Sequence, residues 1–281
     1  MDTAHGDEKS KTISLVKKSC LNALESEMVG LLTDLRDNHG AIGVKAEFEA
    51  EGTRLNELMR LKDIVSHCDL EIMLKIGGPE AVRDILDALI VGVSGIVAPM
   101  VESEYALQKY LRAVAKFVPE DVRRGMLVAV NIETQQAYTN FSAMLTHPEI
   151  DLLGVVTIGR VDLSGSMGLG RDDINSNTVF RITKDICDLA RRAGLVTTMG
   201  GGISTEAIQF IERLVTENLL DRFETRKVIF SASRGIVDAR TAITKANQFE
   251  LLWLRNKADY YTAISREDQE RIGMLKLRSA L

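Results

Sequence analysis

Three things are scarce or missing in this chain of 281 residues: an excess of basic charge, long apolar runs and paired cysteines. The formal net charge is −5, which leaves no electrostatic footprint for nucleic acid. No apolar run approaches the roughly 20 residues that a membrane span requires, so no membrane partner is expected. The opening stretch MDTAHGDEKSKT is polar and lacks the apolar centre of a signal peptide. Residues 1–9 of it are expected to be disordered. Cys20, Cys68 and Cys187 are odd in number, far apart and outside any Cys-x-x-Cys pair. They suit reduced thiols of a cytoplasmic protein rather than a disulfide framework. No linker rich in Pro, Gly or Ser divides the chain, so residues 10–281 read as one domain.

What is present is a β/α rhythm. Apolar content of 45% and charged content of 27% are ordinary for a soluble globular protein, and the length suits one α/β barrel. Residues 10–35 carry a helical pattern that Asn38, His39 and Gly40 bring to an end. Strand-like segments follow at 41–49, 71–76, 95–101, 126–132, 152–158, 195–199 and 227–231. Helix-like segments at 53–66, 80–90, 105–117, 135–145, 178–193 and 205–217 lie between them. Seven strands alternating with helices indicate a parallel α/β sheet or barrel, with the eighth expected to be irregular near the N-terminus or replaced by the N-terminal helix. Residues 235–281 form a charged helical extension in which Phe249, Leu252, Trp253, Tyr260 and Tyr261 make apolar stripes. These stripes pack on the barrel or form a subunit interface, where Trp and Tyr are enriched.

The two central apolar runs each end in an acid, Glu133 after 126–132 and Asp162 after 152–158. In a parallel unit both would emerge at the C-terminal edge, where α/β folds place their chemistry. A divalent cation, Mg²⁺ or Mn²⁺, would neutralise the pair; the alternative is that each acid caps the helix after it. Lys75 ends the strand 71–76, placed to stabilise developing negative charge, to form an imine, or to pair with a strand-end acid such as Glu49. Glu47, Glu49 and Glu51 alternate and so share one strand face. Gly200, Gly201 and Gly202 follow a strand and open a helix, and Ser233, Arg234 and Gly235 follow the next strand. Barrels often bind phosphate with the loops after strands seven and eight, so Gly201, Gly202 and Arg234 are expected to surround one anion, unless the glycines serve only a tight turn. Residues 171–177 read as a polar, irregular loop able to act as a lid.

Asn131-Ile132-Glu133-Thr134 with Ala137, and then Ile158-Gly159, Asp162-Leu163-Ser164 and Ser166-Met167-Gly168, resemble the strand-end motifs of the HpcH/HpaI aldolase and citrate lyase family. The run Gly95-Ile96-Val97-Ala98-Pro99-Met100-Val101-Glu102 is similar to that family's preceding strand. The resemblance spans about residues 41 to 195. It implies a (β/α)₈ TIM barrel in which Glu133 and Asp162 hold the metal. It further implies lyase chemistry of the aldolase kind, making or breaking a C–C bond beside a pyruvate-type enolate, with a 2-oxo acid and an aldehyde or phosphorylated compound as substrates. An acyl-CoA lyase of the citrate lyase type, or a non-catalytic barrel that binds an anionic ligand, is the alternative.

Lys75 stands close to an Arg of the family that steadies the enolate, and the backbone of Gly165, Ser166, Met167 and Gly168 is expected to bind the substrate carboxylate. Arg160 replaces a family Pro and either reads a substrate carboxylate or pairs with Asp172 or Asp173. The family's Asp-x-Glu-His appears only as Glu47-Phe48-Glu49-Ala50, without its His, which leaves Glu49 or metal-bound water for proton transfer. The family often uses C-terminal helices between subunits, so a homo-oligomer is expected.

Overall fold

Short segments rich in Val, Ile and Ala, each followed by an amphipathic helix, can bury both faces only if they close on themselves or are covered on both sides. In the computed structural model, which describes residues 20–279, they close. The barrel strands run in sequence order: β1 Ala41–Glu47, β2 Glu71–Lys75, β3 Gly95–Ala98, β4 Leu127–Ile132, β5 Val155–Gly159, β6 Val196–Gly200, β7 Arg222–Glu224 and β8 Val228–Ser231. The helices are α1 Ala23–His39, α2 Leu55–Ser66, α3 Val82–Val91, α4 Glu104–Phe117, α5 Glu120–Arg123, α6 Gln135–Met144, α7 Arg160–Ser166, α8 Asn177–Arg192, α9 Ile208–Thr216, α10 Ala232–Gly235 and α11 Ala239–Ser279. Inside the barrel, Met73, Val97, Ala129, Val155 and Ile229 form a packed layer of their own. That layer plugs the barrel, so only its mouth stays open. The TIM-barrel expectation therefore holds. None of the helices among the described residues is long and apolar enough to cross a membrane.

One strand breaks the parallel pattern. β1 to β7 pair in parallel, but β8 runs antiparallel to both β7 and β1. Only Thr225, Arg226 and Lys227 separate β7 from β8. A parallel crossover needs a dozen residues or more, so a link this short can only be a hairpin. The eighth strand is neither near the N-terminus nor replaced by α1: it is β7, between β6 and β8, three residues long and too short to show a pattern. The reversal also turns the far end of β8 to the bottom of the barrel, where the Ser231 N–H donates to the Gly40 carbonyl just before β1.

α1 starts at Ala23, where Asn22 and Glu25 form a capping box. Gly40 ends it in the left-handed conformation, φ 71°. The expectations for residues 1–9 and for the start of the first helix up to residue 19 lie outside the described residues. α11 divides in two. Ala242, Ile243, Ala246, Phe249, Leu252 and Trp253 are buried against the body of the protein. Beyond them Leu254, Tyr260, Ile264, Ile272, Leu275 and Leu277 are exposed on a continuous helix.

Candidate functional site

The open mouth at the C-terminal ends of β1 to β6 is a cavity of about 530 Å³. It is built from residues two apart on each strand, which point the same way: Lys45 and Glu47 from β1, Lys75 from β2, Asn131 with Glu133 from β4, Thr157 with Gly159 from β5. Glu133 is buried at its back. Its Oε1 accepts the Met100 N–H at 3.1 Å and its Oε2 the Asn131 side-chain amide at 2.9 Å. The Lys75 ammonium stands 3.8 Å from Oε2. Burial pushes the Glu133 carboxyl above its ordinary range; Lys75 and the two amide donors oppose this, and the nearby Asp162 carboxylate adds to it. Gly159 permits the arrangement, since a Cβ there would lie 2.6 Å from Glu133 Oε2.

Neither acid serves as a helix cap. Thr134 is the N-cap of α6, its hydroxyl accepting the Ala137 N–H, and Gly159 occupies the cap position before α7. Asp162 lies in the first turn of α7 and lines the same cavity as Glu133. Among the described residues no three His, Cys, Asp or Glu side chains gather closely enough to hold a metal by themselves. The mouth offers instead the carboxylates of Glu133 and Asp162 and the buried Asn131 Oδ1, which has no hydrogen-bond partner among the described residues.

The wall formed by β1, β7 and β8 is a lattice of ion pairs. Lys45 Nζ lies 2.7 Å from Glu224 and 3.1 Å from Glu47. Burial disfavours its charge, yet those two carboxylates hold the ammonium above its ordinary range. The Glu47 carboxyl stays low despite its own burial, because Lys45, Arg226 and Lys75 surround it. Glu51 turns toward Arg226 and Lys227. Glu49 sits at the rim, its side chain 35% exposed and 3.3 Å from Lys75. Lys45 and Asn131 are site residues that the sequence reading missed; each lies two positions before a recognised acid, so strand alternation would have found them. Glu224 was hidden because β7 was.

Several expected site residues lie elsewhere. Arg234 stands at the bottom of the barrel, where its Nη2 donates to the Arg36 carbonyl and its Cβ approaches Gly40. The reversal of β8 carried it there, so it cannot join Gly201 and Gly202, which line the mouth. Arg160 is wholly buried; it pairs with neither Asp172 nor Asp173 and donates instead to backbone carbonyls and Asn175 behind the mouth. Gly165 and Ser166 belong to α7 and line a side cavity, while the N–H groups of Met167 and Gly168 are taken by the carbonyls of Ser164 and Gly165. The end of a helix, rather than an open loop, uses up those donors.

The sequence pattern of the HpcH/HpaI aldolase/citrate lyase family matches residues 45–207. Among solved structures the chain is similar to an HpcH/HpaI aldolase from Desulfitobacterium hafniense DCB-2, at 14% identity and a TM-score of 0.58, over 73% of this chain and 82% of that one. It is similar to the citrate synthase SbnG at 15% identity and a TM-score of 0.59, over 84% and 90%. A third likeness is to an HpcH/HpaI aldolase/citrate lyase family protein from Burkholderia cenocepacia J2315, at 16% identity and a TM-score of 0.55, over 79% and 90%. At such identities the structural likeness shows the fold alone. No curated protein matches the sequence.

Proposed function

Because this chain belongs to the HpcH/HpaI aldolase/citrate lyase family, we propose that it is a divalent-metal-dependent carbon–carbon lyase of the aldolase kind. Its reaction makes or breaks a bond beside a pyruvate-type enolate, joining a 2-oxo acid to an aldehyde. One observation carries the reading: Glu133 and Asp162, at the ends of neighbouring parallel strands and free of capping duty, face one open mouth with Lys75.

The mouth fits a cation. Six carboxylates line it, those of Glu47, Glu49, Glu133, Asp162, Glu224 and Glu250, against the four cations Lys45, Lys75, Arg171 and Arg226. One Mg²⁺ or Mn²⁺ balances that excess of acid, and such ions commonly take one or two carboxylates and keep the remaining positions open. Glu133 and Asp162 would hold the ion, with the unpartnered Asn131 Oδ1 beside them. When bound, it supplies Lewis acidity to the oxygens of a 2-oxo acid. A barrel that merely binds an anion would have no need of Glu133 and Asp162 in that mouth.

The protein's own groups do the rest. The Lys75 ammonium, ion-paired with Glu49 and Glu133, is a fixed point charge where the enolate oxygen becomes negative. That setting suits electrostatic stabilisation better than an amine nucleophile. Glu49 reaches water at the rim and takes the proton leaving the carbon next to the carbonyl. Glu47 is a poorer base, since its carboxyl is held low. Unpaired Cys20, Cys68 and Cys187 suit the cytoplasm, and the exposed apolar residues of α11 suit a homo-oligomer.

The test is exchange of the methyl protons of pyruvate in D₂O, followed by NMR with Mg²⁺, Mn²⁺ or Co²⁺ supplied. Metal-dependent exchange is expected. A wild-type chain that exchanges nothing with any of the three ions would refute the lyase reading.

A further inference from the structure

Arg160 is the largest fully buried side chain of the described residues and has no carboxylate partner. Its guanidinium donates to the carbonyls of Gly200 (3.3 Å), Gly201 (2.9 Å), Gly202 (3.2 Å) and Ile174 (3.4 Å) and to Asn175 Oδ1 (2.7 Å). It also lies 4.7 Å above the Phe210 ring. Three successive carbonyls thus converge on one cation. All the peptide bonds of the described residues are trans, and in a trans peptide the N–H points opposite to the carbonyl. The N–H groups of Gly201, Gly202 and Ile203 therefore face away from Arg160. Those three residues line the mouth, and none of their N–H groups donates to another described residue.

The turn can exist only with glycine. Gly201 and Gly202 have φ of 75° and 66°. A Cβ on Gly201 would come within 2.6 Å of the Arg160 backbone nitrogen, and one on Gly202 within 2.4 Å of Ile174 Cδ1. Successive N–H groups in such turns form a concavity that binds anions.

Arg171 completes it. It lines both the mouth and the adjoining side cavity of about 420 Å³, and its guanidinium has no partner among the described residues. The other cations of the mouth are committed: Lys45 to Glu47 and Glu224, Lys75 to Glu49 and Glu133, Arg226 to Glu47 and Glu51. Arg160 ties the Arg171 segment to the glycine turn, because it holds Ile174 and Asn175 as well as residues 200–202. The neighbouring Asp173 turns its carboxylate back onto the Gly170 N–H.

We infer that the N–H groups of Gly201, Gly202 and Ile203, with the Arg171 guanidinium, form an oxyanion subsite beside the reaction centre. Resting on the lyase reading above, this makes the second reactant an aldehyde that carries a remote anionic group, a phosphate monoester or a carboxylate. Arg160 is a positioning residue that acts through the turn. A guanidinium fork and a row of N–H donors match either oxyanion, and both are charge-assisted contacts.

Calorimetric titration of the full-length chain with inorganic phosphate, and separately with acetate, tests this. EDTA is present so that no bound cation contributes. The wild type is expected to bind, and Arg171→Gln, an exposed position, to weaken binding roughly tenfold or more. Gly202→Ala should weaken it comparably by disturbing the turn. Tighter binding of phosphate than of acetate would assign a phosphorylated partner, and the reverse a carboxylate. A wild type that binds neither ion, or either variant binding as tightly as the wild type, would overturn the subsite. Binding without pyruvate exchange would refute the lyase reading and leave the subsite standing; exchange without binding would do the opposite.

Discussion

The ammonium of Lys75, at the end of β2, reaches over the intervening β3 to within 3.8 Å of Glu133 Oε2 at the end of β4. Sequence places the two residues 58 positions apart; the barrel makes them neighbours in the mouth. A cation so placed acts most strongly on charge that appears only during reaction. Lys75→Met should therefore lower kcat for pyruvate proton exchange by about 10²-fold with a smaller change in KM, as for loss of one electrostatic donor. Lys75→Arg should keep part of the activity, because charge is retained. Borohydride trapping of pyruvate on Lys75 would show an imine mechanism instead.

Glu133 makes a linked prediction about pH and metal. Burial raises its carboxyl above the ordinary range, so the folded state holds this proton more tightly than the unfolded chain. Its contribution to stability is complete below the ordinary carboxylate pKa and is lost as pH climbs through the raised folded value. Comparing metal-free wild type and Glu133→Gln by thermal melting across that range, the wild type should lose stability relative to the variant as pH rises. Added Mg²⁺ or Mn²⁺ should raise the Tm of the wild type at neutral pH and do much less for Glu133→Gln. Equal metal response in the two proteins would remove Glu133 from the ion's ligands.

Arg160→Gln should destabilise the fold by about 2–4 kcal/mol in chemical denaturation, since it strands several carbonyls that share one buried cation. It should also weaken phosphate binding although Arg160 faces away from the mouth. Arg160→Lys keeps the charge but not the planar fork, and should recover only part of either property.

The outer half of α11 presents Leu254, Ile264, Ile272 and Leu275 to solvent. Light scattering on the eluting wild type should give a mass above one chain. Ile264→Glu combined with Leu275→Glu should shift it toward the monomer while leaving the melting of the barrel nearly unchanged, because these side chains touch little of it. A wild type that elutes as a monomer at micromolar concentration would rule out this interface.

Much of this protein was determined by local pattern. Runs of Val and Ile at residues 126–132 and 152–158 dictate buried parallel strands, and the acids after them must emerge at one edge, because strand direction and alternation are properties of the neighbouring residues themselves. Glu133, Asp162, Lys75, Gly201 and Gly202 were legible for that reason, and all line the mouth. Arg234 and Arg160 were not. Arg234 depended on the direction of β8, which was set by a three-residue link after a strand too short to see. Arg160 depended on which groups the turn at residues 200–202 would bring behind it. Those outcomes belong to contacts between distant segments: the sequence alone supplied the charges and donors, and only closure of the barrel decided which of them faced the mouth and which were buried to hold it in place.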